Sequence, residues 1–209
     1  MLNGDIVIEN KNTVNSSITF EGVGSDALAN GWGLRVKKGS NIEIRNLGFM
    51  LTNASEGDNI GLQQDNDYVW VHNCDFFYGS SGSAADQAKG DGAMDAKRSN
   101  YVTISYNHFW DTGKSCLLGL SEGTNSGIYA TYHHNWFDHS DSRHPRVRYF
   151  STHIYSSVSS VGLPPSSGLA AEPAIFAGTL ISSASSLGSY PRASLASLGL
   201  IIPPFTRDE

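Results

Sequence analysis

Four segments of the chain share one alternation of apolar and polar residues. They are NIEIRNLGF (41–49), DYVWVHNCDF (67–76), NYVTISYNHF (100–109) and GIYATYHHNWF (127–137). Alternation over short runs bounded by Gly and Asn is typical of β-strands with one buried side. A weaker copy, SSITFEGVGS, lies at 16–25. We therefore predict an all-β chain built from repeats.

Each of these segments contains an asparagine at the end of its strand, and the asparagines recur with a period near 30. Asn46, Asn73, Asn107 and Asn135 are 27, 34 and 28 residues apart. Such a period indicates stacked coils, because hairpins would need connections of about two residues. In a parallel β-helix the four asparagines would form one ladder at a turn, since Asn tolerates the left-handed conformation. The pattern therefore predicts part of a parallel β-helix.

The composition changes sharply after about residue 150. Residues 1–150 contain all 15 asparagines, whereas residues 151–209 contain none and hold 14 serines and six of the seven prolines. The second stretch shows no sustained period of a helix or a strand. We predict an incomplete β-helix domain over 1–155 and a Ser/Pro/Ala-rich tail over 156–209, for which the sequence predicts no structure.

Composition also narrows the function classes. A net charge of −6 argues against nucleic-acid binding, which requires a basic surface. No apolar run approaches the roughly 18 residues of a membrane span, and the opening residues lack the pattern of a signal peptide. Cys74 and Cys116 have no metal-binding spacing, and we do not expect them to pair.

The segment HHNWFDHSDSRH contains four histidines, His133, His134, His139 and His144. Alternation along a strand would place His133 and His134 on opposite sides, so that they could not share a metal. We expect structural or surface roles for all four.

Acidic residues recur at equivalent places in two neighbouring repeats. Glu56 and Asp58 lie in EGDNIGLQ, and Asp91 and Asp95 lie in DGAMDAKR. Coil register would bring Asp58 close to Asp91, with Asp95 on the same side of its strand. Clustered carboxylates repel one another unless a cation lies among them, and hard oxygen ligands suit Ca²⁺. The alternative is a set of separately solvated turn acids.

Basic residues follow in the next coils. Lys114 lies in DTGKSCLLG, and Arg143, Arg146 and Arg148 lie in SRHPRVR. A metal beside such a basic stripe would suit a polymer that bears carboxylates, because Arg binds carboxylate bidentately. Taken alone, RHPRVR could equally be a solvated basic turn.

The segments VWVHNCDF, DGAMDAKRSNYVTISYNHF, DTGKSCLLG and SRHPRVR, in this order, resemble the pectate lyase superfamily of polysaccharide lyases over about residues 5–155. The resemblance implies a right-handed parallel β-helix and a secreted, monomeric enzyme. It also implies calcium-dependent β-elimination of α-1,4-galacturonan (pectate), which gives 4,5-unsaturated oligogalacturonides.

The same resemblance implies a role for each candidate residue. It makes Asp58, Asp91 and Asp95 calcium ligands with Glu56 as a further acidic position, Lys114 a catalytic and substrate-binding lysine, Arg143 the catalytic arginine, and Arg148 a second substrate-binding arginine.

The chain departs from the family pattern in three places. The family commonly reads Trp-Ile-Asp-His-Cys where this chain has WVHNC (70–74), the resemblance begins well inside the usual domain, and the tail replaces later coils. Three rival hypotheses stay open. They are a calcium-independent pectin lyase acting on methyl-esterified substrate, a non-catalytic β-helix that binds polysaccharide, and an inactive truncated product.

Overall fold

The structure is a computed structural model that describes residues 4–9, 17–52, 57–77, 92–119, 128–140, 142–148, 150–160, 174–176 and 180–183. Within these ranges the regular elements are strands, and none is a helix that could cross a membrane. In chain order they are β1 (Gly4–Glu9), β2 (Ile18–Glu21), β3 (Leu28–Asn30), β4 (Trp32–Lys37), β5 (Ser40–Arg45), β6 (Gly48–Met50), β7 (Ile60–His72), β8 (Asp75–Phe77), β9 (Gly92–Ser105), β10 (His108–Trp110), β11 (Lys114–Leu118), β12 (Ile128–His133), β13 (Trp136–Asp138), β14 (Arg146–Val147), β15 (Phe150–Tyr155), β16 (Ser157–Ser160), β17 (Ala174–Phe176) and β18 (Leu180–Ser183).

The strands stack in parallel on three faces. The first face consists of β1, β4, the first halves of β7 and β9, β11 and β14. The second face consists of β2, β5, the second halves of β7 and β9, β12 and β15. The third face consists of β3, β6, β8, β10, β13 and β16. The chain visits the faces in this order, so the described residues form six coils, and the predicted parallel β-helix is confirmed.

The third face continues beyond residue 155. Strand β16 pairs in parallel with β13, and β17 and β18 then add to the last coil in the antiparallel direction, against β16 and β15. The division of the chain at 155/156 stays a prediction.

The core is a stack of identical rows inside the coils. Phe49, Phe76, Phe109 and Phe137 lie in register, with ring centroids 5.4, 4.7 and 4.9 Å apart and almost no exposure. Neighbouring inward positions hold aliphatic side chains, because alternation along each strand sends every second residue inward. This interior fixes the register, and therefore which outward side chains of successive coils become neighbours.

The asparagines do not form the single ladder that we predicted. Register aligns Asn46 and Asn73 with Tyr106 and His134, and these four residues have φ between 51° and 55°. Asn107 and Asn135 occupy the next position of the same turn. The prediction was wrong by one residue. Each coil needs a residue in the left-handed conformation at the first of these two turn positions, and in the later coils Tyr106 and His134 occupy that position in place of asparagine.

Asn107 and Asn135 form a shorter ladder of their own. Both are buried, and the N–H and side-chain amide of Asn107 each donate to Asn135 Oδ1 over 3.1 Å. The Asn107 amide also donates to Val71 O, and the N–H of Cys74 donates to Asn107 Oδ1 over 3.0 Å. The ladder thus satisfies backbone groups that the turn leaves buried.

Candidate active site

The candidate site lies on the outer side of the first face. Met94 and Ala96 of β9 point into the core, and Asp95 lies between them on the outer side. Gly61 in β7 and Leu117 in β11 are the neighbours of Asp95 in the adjacent coils. Gly61 has no side chain, and a Cβ there would lie 3.4 Å from Asp58 Oδ2. The gap at Gly61 therefore brings the Asp58 carboxylate beside Asp95.

Asp58 is held by two contacts from the next coil. Its side chain is 2% exposed. Oδ1 accepts a hydrogen bond from the N–H of Gly92 over 3.0 Å, and Oδ2 lies 3.4 Å from the Lys97 ammonium. These contacts fix both carboxylate oxygens of a buried charge.

Asp95 is fully buried, and one of its oxygens is turned toward the cations. Oδ1 accepts from the N–H of Leu117 over 2.9 Å. Oδ2 accepts no hydrogen bond from the described residues and lies 3.8 Å from Arg143 Nη1. Burial above all, and then the nearby Asp58 carboxylate, raise the pKa of Asp95 to about 8. Two cations and the N–H donor lower it, but they do not outweigh these causes.

Arg143 reaches the acids from the turn before β14. Its backbone has a φ of 66°, in the left-handed region that non-glycine residues rarely adopt, and its carbonyl accepts from the N–H of Cys116 over 2.8 Å. The side chain is 16% exposed and points at Asp95. A hydrogen-bonded turn therefore directs the guanidinium toward Asp95.

Lys114 begins β11, and Arg148 directly follows β14, the strand that pairs with β11 on the first face. Lys114 is half-buried. Its backbone is in register with Gly92 of the preceding coil and forms an isolated parallel β-bridge with Ser142 of the following coil. The N–H of Arg148 donates to Leu118 O over 2.8 Å. Gly119, with a φ of 95°, lets the backbone of Arg148 come close, since a Cβ there would overlap Arg148 O and lie 3.0 Å from the Cβ of Arg148.

Sequence reasoning missed Lys97. This lysine lies two residues after Asp95 on an alternating strand, so both side chains are on the outer side of β9. That spacing alone could have added Lys97 to the site.

Two of the four predicted metal ligands cannot be placed, because Glu56 and Asp91 lie outside the described residues. Within the described ranges, no group of three or more His, Cys, Asp or Glu side chains has the geometry of a metal site. Asp58 and Asp95 nevertheless fit a hard cation, since they offer buried carboxylate oxygens and Asp95 Oδ2 accepts no hydrogen bond there.

The four histidines are not part of the cluster of Asp58, Asp95 and Arg143. The prediction that His133 and His134 lie on opposite sides of their strand was wrong. His134 has a φ of 54°, which breaks the alternation, and its Nδ1 lies 2.9 Å from Nδ1 of His133. His139 contacts Asp138 over 2.7 Å. Burial lowers the pKa of His144 to about 4, so this side chain is neutral at neutral pH although it adjoins Arg143.

The model of a protein family described as pectate lyase matches residues 5–177. This chain belongs to the pectate lyase family. The relationship agrees with the parallel β-helix and with the resemblance drawn from the four motifs.

Relatives of known name support the membership. The chain is 32% identical over 142 residues to a pectate trisaccharide-lyase of Bacillus licheniformis, an alignment that covers 68% of this chain and 41% of the relative. It is 36% identical over 148 residues to pectate lyase A of Emericella nidulans, with 68% and 44% covered. Among solved structures, a pectate lyase variant from Xanthomonas campestris superposes with a TM-score of 0.67 at 31% identity, over 77% of this chain and 50% of that one. Pectate lyase C from Erwinia chrysanthemi gives a TM-score of 0.66 at 26% identity, over 75% and 44%.

The chain spans slightly less than half the length of these curated relatives. The matched part nevertheless contains the first-face residues described above. The segment WVHNC, which departs from the common family pattern, lies on the second face and the turn after it, where His72 Nε2 contacts Glu43 over 2.9 Å. That departure is therefore not part of the first-face cluster.

Proposed function

We propose that this chain carries the catalytic face of a pectate lyase that cleaves α-1,4-galacturonan by calcium-dependent β-elimination. The observation that carries the proposal is the buried Asp95 carboxylate, which lies 3.8 Å from Arg143 and close to Asp58 on the outer surface of the helix. Buried acids and bases from three coils, brought together on one face, are typical of a site that binds and reacts rather than of a structural surface.

Each residue has a proposed part in the reaction. Lys114 and Arg148 bind uronate carboxylates, because a lysine and an arginine in neighbouring coils match anions spaced along a polymer. Arg143 takes the proton from C5 of the uronate, the electron pair left on C5 forms the C4=C5 double bond as the bond from C4 to the glycosidic oxygen breaks, and the leaving oxygen takes a proton from water. Lys114 stabilises the negative charge that develops on the carboxylate as the proton leaves.

Asp58 and Asp95 would hold the calcium ion, together with Asp91 and Glu56 by the family resemblance. A bound Ca²⁺ supplies a Lewis acid that makes the C5 proton of a coordinated uronate more acidic. The structure of Erwinia chrysanthemi pectate lyase C was determined with 30 mM Ca²⁺, and a Bacillus pectate lyase was solved with trigalacturonate, which supports both the metal and the substrate class.

The remaining parts of the proposal rest on family membership. We propose a secreted, monomeric protein that acts on cell-wall galacturonan, with no nucleic-acid or membrane partner.

The test compares two substrates with and without calcium. The 209-residue chain is incubated with polygalacturonate or with highly methyl-esterified pectin, in calcium or in excess EGTA, while the ultraviolet absorbance of the unsaturated uronide is followed. We expect product from polygalacturonate in calcium alone. Equal rates on esterified pectin in EGTA would identify a pectin lyase instead. Absence of product from both substrates, from a chain that circular dichroism shows to be folded, would contradict catalysis by this chain.

A further inference from the structure

We propose that Lys97 is a positioning residue that acts as the built-in cation of the Asp58–Asp95 pair and must leave Asp58 before a metal ion can bind. The inference rests on the proposed function, because it concerns the same carboxylates. It gives a role to Lys97, which is neither among the candidate residues predicted from the sequence nor part of the proposed mechanism.

The geometry places Lys97 where a metal would compete with it. The Lys97 ammonium lies 3.4 Å from Asp58 Oδ2, and the two side chains are 16% and 2% exposed. The other oxygen of Asp58 is held by the N–H of Gly92. A metal ion that binds Asp58 through Oδ2 would therefore compete with Lys97 for the same oxygen.

The charges explain why a cation is needed there. Asp58 and Asp95 are both buried and lie beside each other, so the two carboxylates repel whenever both are ionised, as they must be when they bind a metal. Lys97 acts on both acids, by direct contact with Asp58 and through its charge on Asp95. Like-charged carboxylates that share a site are stabilised by a cation between or beside them. Lys97 meets this need without a metal.

A calcium ion and the ammonium cannot both engage Asp58 Oδ2 closely. Calcium–oxygen distances are about 2.3–2.6 Å, so an ammonium left in its present place would lie within a few ångströms of a divalent ion. Because the contact is buried, solvent screens this repulsion much less than it would at the surface. Calcium binding should therefore be weaker with Lys97 present than without it. When calcium binds, the Lys97 side chain should move away from Asp58 toward the outer surface.

Calorimetry with calcium chloride alone, in the absence of substrate, measures this competition. We expect Lys97→Met to lower the Kd for calcium about tenfold, which corresponds to about 1.4 kcal/mol. Lys97→Arg keeps the charge and should keep a Kd close to that of the unaltered protein. Lys37→Met is the matched control, since Lys37 lies in the same outward row of the first face but two coils away. Its calcium Kd should not change.

Thermal unfolding gives a second readout that does not depend on the tightness of binding. In EGTA, Lys97→Met should have a lower Tm than the unaltered protein, because Asp58 loses the ammonium that lies 3.4 Å from its Oδ2. Calcium should then raise the Tm of Lys97→Met by more than it raises that of the unaltered protein. A variant that folds in calcium and not in EGTA would be the extreme form of this result.

The outcomes separate this inference from the proposed function. If the unaltered protein binds calcium and Lys97→Met binds it equally or more weakly, the competition is refuted while the proposed function stands. If Lys97→Met binds calcium and the unaltered protein does not, the competition is supported and the calcium dependence of this chain is wrong. If neither binds calcium, both are refuted. Should Lys97→Met fail to fold in either condition, Lys97→Gln is measured against the same criteria.

Discussion

The electrostatics of the site can be tested by replacing Asp95 with asparagine in the metal-free protein. The pKa of Asp95 is raised to about 8 in the folded protein, whereas an aspartate in an unfolded chain titrates near 3.9. Between about pH 4 and pH 8 the folded state therefore binds a proton that the unfolded state has already released. Its contribution to stability is complete below about pH 4 and is lost as the pH rises toward 8.

The size of the effect on the free energy of unfolding follows from the width of the pH range between the two pKa values of Asp95. Each pH unit corresponds to about 1.4 kcal/mol, so Asp95 alone would change the free energy of unfolding by up to about 5 kcal/mol between pH 4 and pH 8. Asp95→Asn mimics the neutral acid and keeps an oxygen for the N–H of Leu117. We expect the variant to match the unaltered protein at about pH 4 and below, and to be more stable by roughly 3–5 kcal/mol near about pH 8.

The assay is urea unfolding in excess EGTA at several pH values, followed by circular dichroism. Asp67→Asn serves as the control, because Asp67 is an exposed aspartate on β7. The control should leave the pH dependence of unfolding unchanged. Parallel pH profiles for Asp95→Asn and the unaltered protein would refute the assignment of a buried, proton-binding carboxyl to Asp95.

Three further substitutions test the fold and the substrate-binding rim. Phe109→Ala removes the middle of the phenylalanine stack and should cost about 3–5 kcal/mol in urea unfolding. Asn107→Ala removes buried hydrogen bonds and should cost about 1–3 kcal/mol, clearly more than Asn100→Ala, whose side chain bonds at an exposed place. Gly119→Ala puts a Cβ against the backbone oxygen of Arg148 in a backbone with positive φ, so it should lower the free energy of unfolding and, in variant protein that is still folded, raise the KM for polygalacturonate. An unchanged KM would separate Arg148 from substrate binding.

The general architecture could be predicted from the sequence because alternation and the repeat period are local signals. Ile42 and Ile44 alternate with Glu43 and Arg45, and the structure buries the first pair on the inner side. The stacking of coils then follows, because each coil alone cannot bury its apolar side. Asp58, Asp95 and Arg143 lie close together in the structure, whereas the predicted neighbour of Asp58, Asp91, lies outside the described residues.

The fine register could not be obtained from the asparagines. Asn46 and Asn73 precede their phenylalanines by three residues, whereas Asn107 and Asn135 precede theirs by two. The buried phenylalanines set the alignment, and the asparagines adapt to it. Aligning the repeats by their phenylalanines would have predicted the observed turn.

The contact between Asp58 and Lys97 depends on details that sequence patterns do not carry. Asp58 precedes its strand, so its side-chain direction is set by the N–H of Gly92 and the gap at Gly61. The same limit applies to His133 and His134, where one positive φ overturns the alternation on which the prediction rested.

The most direct test of the central claim compares two arginine-to-lysine substitutions in the lyase assay. Arg143→Lys keeps a positive charge but changes the proton-accepting atom and the shape of the group. Arg98→Lys makes the same change at an exposed arginine that pairs with Asp65 over 3.1 Å and not with Asp58 or Asp95. With polygalacturonate and calcium, we predict that Arg143→Lys lowers kcat by about 100-fold or more and leaves the calcium Kd nearly unchanged, whereas Arg98→Lys keeps the original rate. Retention of the original kcat by Arg143→Lys would contradict the assignment of Arg143 as the group that takes the C5 proton.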